Sequence, residues 1–227
     1  MKKIAALVPV KSFSRRVPNK NMQEINGSSL FERKVKQLFL SNLINDVYVG
    51  SESEEILDIA STLGAIPIKR SAYACNEELA SANAMILDFA SKITADIGVW
   101  AHCTNPFIYA AEYDEALKLY VSKKEPYDSL VSVTKIQSHL WSKYGFPLNF
   151  NPQSSRHPFA SELDSVFFQN GGIFIQNMDG FLANSYFYGS YPIKFELSEL
   201  AGFDINTLDE LKIAQLLAPW LDEKSKF

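Results

Sequence analysis

The sequence contains little that is typical of a membrane protein, a secreted protein or a nucleic-acid-binding protein. None of its apolar runs approaches the roughly 20 residues that a bilayer-spanning helix needs, and the run after Met1-Lys2-Lys3 is too short for a signal peptide. Its two cysteines, Cys75 and Cys103, argue against a disulfide framework, so we expect a reducing, cytoplasmic location. The net charge of −4 argues against a nucleic-acid partner, which would require a basic face.

The chain also lacks the glycine-rich motifs that hold phosphates through backbone N–H groups. No G-x-G-x-x-G occurs anywhere, and no stretch ends in the Gly-Lys-Ser/Thr of a Walker A motif. Any phosphate contact must therefore rely on side chains, with help from backbone N–H groups. The sequence has no internal repeat, low-complexity tract or interdomain linker, so we expect a single domain over residues 1–227.

Short apolar segments alternate with segments of helical periodicity along the chain. Strands are predicted over residues 4–10, 46–50, 65–68, 97–103, 129–134, 172–176 and 193–197. Helices are predicted over residues 30–43, 53–63, 77–93, 110–122 and 207–218. This alternation predicts an α/β fold in which a mostly parallel, twisted sheet is covered by helices on both faces.

A loop rich in cations follows the first predicted strand. Residues 11–21 contain four cations, two hydroxyls and two amides, and they lie at the carboxyl end of the strand, where open α/β sheets bind ligands. Lys11, Arg15 and Lys20 could neutralise much of a triphosphate, Ser14 could donate to a phosphate oxygen, and Asn21 could orient a ribose or base. A solvated, positively charged surface loop explains the same residues, and the loop alone leaves both interpretations open.

The regular pattern is interrupted between about residues 138 and 169. This segment contains three prolines, many aromatic residues and no clear period. Uninterrupted loops of this length are usually functional, so we expect a long loop, a subunit-contact arm, or both. Subunit contact would cover an otherwise large exposed apolar patch formed by Trp141, Tyr144, Phe146, Phe150 and Phe159.

Five segments of the chain together form a recognisable pattern. The cation-rich loop contains Pro9-Val10-Lys11-x-x-Ser14-Arg15-x-x-Pro18-x-Lys20-Asn21, and there follow Ile66-Pro67-Ile68-Lys69-Arg70 with Ser81, then Thr104-Asn105-Pro106, Asn170-Gly171-Gly172-Ile173-Phe174-Ile175 and Phe203-Asp204-Ile205-Asn206-Thr207. In this order the segments resemble those of the acylneuraminate cytidylyltransferases, which make CMP-activated sialic acids and related nonulosonic acids from CTP. The family pattern P-A-R-x-x-S-K-x-x-P-x-K-N aligns to the loop without a gap. The resemblance covers nearly the whole chain and implies a nucleotide-diphospho-sugar transferase-like fold that forms a homodimer through the arm.

The resemblance also implies a role for each matching residue. Lys11, Ser14, Arg15 and Lys20 would hold the triphosphate, with Lys20 stabilising charge at the α-phosphate, and Asn21, Arg70 and Ser81 would contact the cytidine. Asp204, with Asn206 beside it, would bind the catalytic Mg²⁺. His102, Thr104 and Asn170 fall where the family binds its acceptor. The implied reaction is attack of an acceptor hydroxyl on the α-phosphorus of CTP with departure of pyrophosphate, a step in making cell-surface polysaccharide.

Several departures from the family pattern concern the acceptor and the metal. The signature Arg is Lys11, which keeps the charge but loses the two-pronged donor geometry. His102 replaces a Gln, and the second Asp of D-I-D-T is Asn206, a weaker ligand for a hard cation. Cations that the family uses for the acceptor's carboxylate are missing, so we expect an unusual acceptor, with Arg156 of the arm as a candidate contact.

Three alternatives stay open from the sequence. The acceptor could be a phosphonate, a phosphate or a modified sugar instead of a sialic acid-like sugar acid. The chain could also be a nucleotide-binding homologue with weak catalysis, because Asn206 weakens the metal site. His102 could act on the acceptor or serve as a hydrogen-bonded core histidine.

Overall fold

The fold is described from a computed structural model that covers residues 2–225 and 227. Its strands are β1 (Ile4–Pro9), β2 (Glu24–Ile25), β3 (Ser28–Ser29), β4 (Asp46–Ser51), β5 (Ile66–Lys69), β6 (Ile97–Ala101), β7 (Ser129–Ile136), β8 (Val166–Asn177) and β9 (Pro192–Leu197). Its helices are α1 (Leu30–Phe39), α2 (Glu54–Thr62), α3 (Ala72–Cys75), α4 (Ala82–Ala90), α5 (Ala110–Val121), α6 (Met178–Asn184) and α7 (Leu208–Ser225). Within the described residues, no helix is both long enough and apolar enough to cross a membrane.

Seven strands form one sheet in the order β5-β4-β1-β6-β8-β7-β9. All neighbouring pairs are parallel except those of β8, which runs antiparallel to both β6 and β7. The prediction of an α/β fold with a mostly parallel sheet is confirmed. The antiparallel strand arises because β7 and β8 form a hairpin whose connection is the irregular arm.

Both faces of the sheet are covered, as the continuous apolar character of the first strand predicts. Ala6 and Val8 of β1 belong to the apolar core that also includes buried residues of α1, α2, α5 and α7. Ala5 and Leu7 point to the opposite face, where the core includes residues of α4 and α6. The sheet therefore lies between two helical layers, and its strand ends are left to build a site.

Local signals fix several helix ends. Ser29 and Glu32 form a capping box at the start of α1, with Ser29 Oγ accepting from Glu32 N at 3.1 Å. Thr207 and Glu210 do the same before α7, since Thr207 N donates to Glu210 Oε2 at 2.7 Å. Gly64 follows α2 with a φ of +86°, the left-handed conformation that ends a helix most readily at glycine.

Several elements differ from the predicted ones, and α1 ends at Phe39, four residues before its predicted end. The helix expected over residues 77–93 is the shorter α4, which begins only after Ser81, whose oxygen accepts from Ala84 N at 3.2 Å; the short α3 before it was not predicted. The arm is shorter than 138–169, because residues 166–169 pair with β7 and belong to β8. Helix α6 was not predicted, and α7 continues to Ser225 through Pro219.

Candidate active site

A cavity of about 470 Å³ opens at the carboxyl ends of β1, β5 and β6. Ten of the thirteen predicted site residues line it, namely Lys11, Ser14, Lys20, Asn21, Arg70, Ser81, His102, Thr104, Asp204 and Asn206. These residues come from positions up to 195 apart in the chain, and the parallel strands bring their loops to one edge of the sheet. The larger cavity of about 570 Å³, lined among others by Leu40, Phe107 and Leu221, contains none of the thirteen.

Hydrogen bonds within the cation-rich loop hold its conformation. Asn21 Nδ2 donates to the carbonyl of Lys11 at 3.0 Å and so ties the two ends of the loop together. Asn19 adopts the left-handed conformation with a φ of 47°, and Met22 N donates to its carbonyl at 2.9 Å. The amide nitrogen of Asn21 is thus committed to holding the loop, and its predicted contact with the cytidine stays a prediction.

Lys20 is a buried cation at the floor of the cavity. Its Nζ donates to the carbonyl of Ile205 at 2.8 Å, so the loop reaches across to the segment that carries Asp204. Burial lowers the pKa of Lys20, and the nearby Asp204 carboxylate acts in the opposite direction. A partly desolvated ammonium interacts with a phosphate oxygen more strongly than one in water does, which suits the charge-stabilising role predicted for it.

Asp204 offers an oxygen suited to a metal ion. Its Oδ2 accepts from Asn206 Nδ2 at 2.7 Å, while its Oδ1 is buried without a hydrogen-bond partner among the described residues. A buried carboxylate oxygen with no donor is the kind of ligand that Mg²⁺ uses. No three His, Cys, Asp or Glu side chains cluster as metal ligands in residues 2–225 and 227. The residues present therefore fit a metal ion that takes one oxygen from Asp204 and its other ligands from phosphates and water.

The segment that carries Asp204 is held by the loop after β6. Ile205 N donates to the carbonyl of Thr104 at 2.9 Å. The fully buried Asn105 donates from Nδ2 to the carbonyls of Asn170 at 3.0 Å and of Phe203 at 3.3 Å. Asn105 therefore links two sides of the cavity, a role that the sequence did not suggest because a polar residue beside a proline is typical of an ordinary turn.

Buried polar residues of α1 support the same loop from behind. Lys34 Nζ donates to the carbonyl of Asn105 at 2.9 Å, and Arg33 Nε and Gln37 Nε2 donate to the carbonyl of Pro106 at 2.8 and 2.7 Å. Arg33 also forms a buried ion pair with Asp222 of α7. In the sequence, these three polar residues lie on the apolar side of an amphipathic helix. The helical periodicity does not show which groups they bind.

Both ring nitrogens of His102 form hydrogen bonds within the protein, and its predicted contact with the acceptor stays a prediction. Trp100 Nε1 donates to its Nε2 at 3.1 Å, so the ring proton is on Nδ1, which donates to the carbonyl of Gly171 at 2.7 Å. Burial lowers the pKa of His102, which keeps the ring neutral. Gly171 presents that carbonyl with a φ of +74°, a conformation that favours glycine. The ring borders the cavity with both nitrogens engaged.

Arg70 and Ser81 lie on the other side of the cavity. The guanidinium of Arg70 is buried, donates to the carbonyl of Met85 at 2.8 Å and to Asp88 at 3.2 Å, and lies 5.3 Å from the centre of the Phe89 ring. These contacts hold the plane of the guanidinium against α4. A planar donor held in this way can form hydrogen bonds with a nucleotide base. Ser81 caps α4 through its oxygen, which leaves its hydroxyl hydrogen available.

Three predicted site residues do not reach the cavity. Arg15 turns outward and pairs with Glu78 at 2.6 Å, while the neighbouring Arg16, which was not predicted, lines the cavity instead. Arg156 lies exposed in the arm and pairs with Glu162. Asn170 points into the sheet: its Nδ2 donates to Thr134 Oγ1 at 2.9 Å, and its Oδ1 accepts from Ser132 Oγ at 2.6 Å. Its role here is to hold two strands together.

Comparison with known proteins agrees with this geometry. The family model described as cytidylyltransferase matches residues 5–178, which include the cation-rich loop, Arg70, Ser81 and the loop after β6. This chain belongs to the cytidylyltransferase family. The resemblance inferred from the motifs is confirmed at that level.

Two curated relatives extend the comparison. An N-acylneuraminate cytidylyltransferase from Escherichia coli O18:K1:H7 is 29% identical over 93% of this chain, and the match spans 51% of the relative. A pseudaminic acid cytidylyltransferase from Campylobacter jejuni serotype O:2 is 20% identical over 93% of this chain and 94% of its own length. The chain thus spans about half the length of several of the curated relatives it matches.

The fold also has solved counterparts. A CMP:2-keto-3-deoxy-manno-octonic acid synthetase, solved in complex with CTP, superposes with a TM-score of 0.70 at 15% identity and covers 96% of this chain and 99% of its own. A cytidylyltransferase from Leptospira borgpetersenii gives a TM-score of 0.62 at 14% identity, over 97% of this chain and 88% of its own. At such identities the likeness shows a shared fold.

Proposed function

We propose that this protein transfers CMP from CTP to a sugar acid of the nonulosonic type and releases pyrophosphate. The observation that carries the proposal is the grouping of Lys11, Lys20 and Arg16 with the unpartnered Asp204 oxygen in one cavity at the carboxyl ends of the strands. The cations can bind the phosphates of a triphosphate, and the single free carboxylate oxygen can bind the metal ion that accompanies it. The names of the curated relatives supply the two substrate classes.

The triphosphate would lie along the cation-rich loop. Lys11 and Arg16 neutralise its charge at the mouth, Ser14 donates a hydroxyl, and the buried Lys20 stabilises the negative charge that grows at the α-phosphate during transfer. Asp204, with Asn206 holding its second oxygen, would bind Mg²⁺, which neutralises charge on the departing pyrophosphate when bound. The side chains thus contribute positioning and charge stabilisation.

The cytidine would occupy the side of the cavity formed by Arg70 and Ser81. The Arg70 guanidinium is held rigid by α4, and the Ser81 hydroxyl is free to donate, so both can meet the polar edge of a pyrimidine without reorganising. The acceptor would approach from the side of Thr104 and Gly171. Its hydroxyl attacks the α-phosphorus, and the bond from that phosphorus to the β-phosphate oxygen breaks.

The acceptor side supports a second candidate, a donor-specific cytidylyltransferase with a different acceptor. His102 is neutral there, and Arg156 is paired within the arm, so neither supplies the free cation that a sugar carboxylate calls for. A phosphonate, a phosphate or a modified sugar are the alternatives. A homologue that binds the nucleotide with little catalysis is the third, because one carboxylate and one amide make a weak metal site.

We further propose a cytoplasmic homodimer built through the arm. Trp141, Tyr144, Phe146 and Phe159 are each more than half exposed in the single chain. An apolar patch of this kind is typical of a protein interface. Analytical ultracentrifugation of the protein and of a Trp141→Ser, Phe159→Ser variant tests this, with a shift from dimer to monomer as the expected result.

Pyrophosphate release tests the proposed reaction. The protein, CTP and Mg²⁺ are incubated with N-acetylneuraminate, pseudaminic acid, 2-keto-3-deoxy-octonate, a phosphonate and a sugar phosphate, and the CMP-conjugate is identified by mass spectrometry. We expect turnover with one sugar acid, which Asp204→Asn reduces strongly. Turnover with ATP, GTP or UTP at the rate of CTP contradicts the donor assignment. CTP binding without turnover on any acceptor favours the weakly catalytic homologue.

A further inference from the structure

Two glutamates between α3 and α4 face the cation-rich loop. Glu77 Oε2 accepts from Lys11 Nζ at 2.5 Å, and Glu78 Oε1 lies 2.6 Å from Arg15 Nη2. In the free protein, Lys11, which is assigned to the triphosphate, thus already holds a carboxylate, and so does the neighbouring Arg15. None of the roles derived above uses these glutamates.

The two pairs differ in where they lie. Lys11 and Glu77 line both the 470 Å³ cavity and a neighbouring hollow of about 270 Å³, whereas Arg15 and Glu78 line the hollow alone. The hydrogen bond from Lys11 lowers the pKa of Glu77, and the charges of Lys11, Arg15 and Arg16 act in the same direction. Glu77 is therefore a fixed negative charge at the mouth of the proposed phosphate site at neutral pH.

Glu77 engages the Lys11 ammonium, so a phosphate oxygen that binds Lys11 competes with this carboxylate for the same cation. Both side chains are partly exposed, at 31% and 54%, and exposed ion pairs of this kind are weak. Displacing the carboxylate lowers the affinity by the same factor for every ligand that reaches Lys11. A ligand with further contacts still binds, whereas a ligand held by phosphate contacts alone binds weakly. A ligand that does not reach Lys11 loses nothing.

On the basis of the proposed function, we propose that Glu77 competes with bound phosphates for Lys11 and so weakens every ligand whose phosphates reach Lys11, the product pyrophosphate included, relative to CMP. CTP retains its cytidine contacts at Arg70 and Ser81 and therefore still binds. Pyrophosphate, the product with phosphate contacts alone, is kept weak and leaves readily. CMP has no β- or γ-phosphate, so Glu77 does not affect its binding.

Equilibrium binding of CTP, pyrophosphate and CMP to the full chain tests this inference by calorimetry at fixed ionic strength with Mg²⁺. We expect Glu77→Gln to tighten CTP and pyrophosphate by the same factor, about two- to fivefold, and to leave CMP unchanged. Glu115→Gln, which removes the same charge from an exposed position on α5, is the matched control and leaves all three affinities unchanged. In a Lys11→Gln background, Glu77→Gln has no further effect.

The outcomes separate the inference from the proposed function. If the protein binds CTP and pyrophosphate but Glu77→Gln changes neither affinity, the inference is wrong and the proposed function is unaffected. Equal tightening of CMP, or an equal effect of Glu115→Gln, also overturns it, because either shows a general charge effect without displacement. If the parent protein binds neither CTP nor pyrophosphate, both the inference and the proposed function fail.

Discussion

Replacing Lys34 by Met tests how the α1 side chains support the active-site loop. The Lys34 ammonium is fully buried, and both of its acceptors are neutral: the carbonyl of Asn105 at 2.9 Å and the hydroxyl of Tyr113 at 3.0 Å. Desolvation lowers the pKa of Lys34 from 10.5 to about 7. Met keeps an apolar chain of similar length in the helix and cannot titrate.

The expected size of the effect comes from proton linkage. Between pH 7 and pH 10.5 the unfolded chain binds a proton at Lys34 that the folded chain has released, so the free energy of unfolding rises with pH. The slope approaches about 1.4 kcal/mol per pH unit well above pH 7. Between pH 7 and pH 9 the free energy of unfolding therefore rises by about 2 kcal/mol. Well below pH 7 the slope vanishes because Lys34 is protonated in both the folded and the unfolded state.

Urea unfolding at several pH values from 5.5 to 9 measures this difference. We expect the parent to gain about 2 kcal/mol relative to Lys34→Met between pH 7 and pH 9, and the two profiles to run parallel below pH 6. Lys36→Met, an exposed lysine on the same helix, is the matched control and runs parallel to the parent throughout. A constant difference between parent and Lys34→Met over the whole range refutes the reasoning.

Three further substitutions address the support and the chemistry of the site. Asp222→Asn leaves the buried guanidinium of α1 without its charge partner, so we expect urea unfolding to show a loss of about 3–5 kcal/mol. Asn105→Ala removes the bonds to two buried carbonyls, and we expect about 1–3 kcal/mol of lost stability together with weaker Mn²⁺ binding at Asp204 in the CTP complex, measured by electron paramagnetic resonance. Lys20→Met removes the buried ammonium, and we expect kcat for pyrophosphate release to fall about 10²- to 10³-fold while the circular dichroism spectrum is unchanged.

Much of the fold could be predicted because each apolar strand and each helical stripe follows from local periodicity. Strands β1, β4 and β6 and helices α2 and α5 lie within two residues of their predicted bounds. The start of β8 could not be predicted, because residues 166–169 become strand only by pairing with β7 across the arm. The start of α4 at Ala82, five residues later than predicted, depends on Ser81 acting as a cap, which the apolar periodicity does not reveal.

The candidate site likewise contains some residues that could be predicted from local motifs and others that could not. Lys11, Lys20, Arg70 and Asp204 stand in recognisable motifs, and the parallel strands bring them to one cavity. Residues whose role depends on a distant partner could not be predicted. Among them, Asn105 is defined by carbonyls 65 and 98 positions away along the chain.

Ion pairs determine which charged side chains of the cation-rich loop face the cavity. Arg15 and Arg16 are adjacent in the sequence, and nothing local says that the first pairs with Glu78 while the second lines the cavity. The contact between Glu77 and Lys11 likewise joins residues 66 positions apart. Such pairings are set by the folded loops, and the motif alone does not contain them.

A crystal structure of the protein soaked with CTP and Mg²⁺ is the sharpest test of the proposed site. We expect a nucleotide in the cavity, with cytidine at Arg70 and Ser81, phosphates along Lys11 and Lys20, and a metal ion on the free oxygen of Asp204. We also expect Glu77 to move away from Lys11 when the nucleotide binds. A nucleotide bound outside this cavity, or a metal ion that does not contact Asp204, would show that the proposed site is wrong.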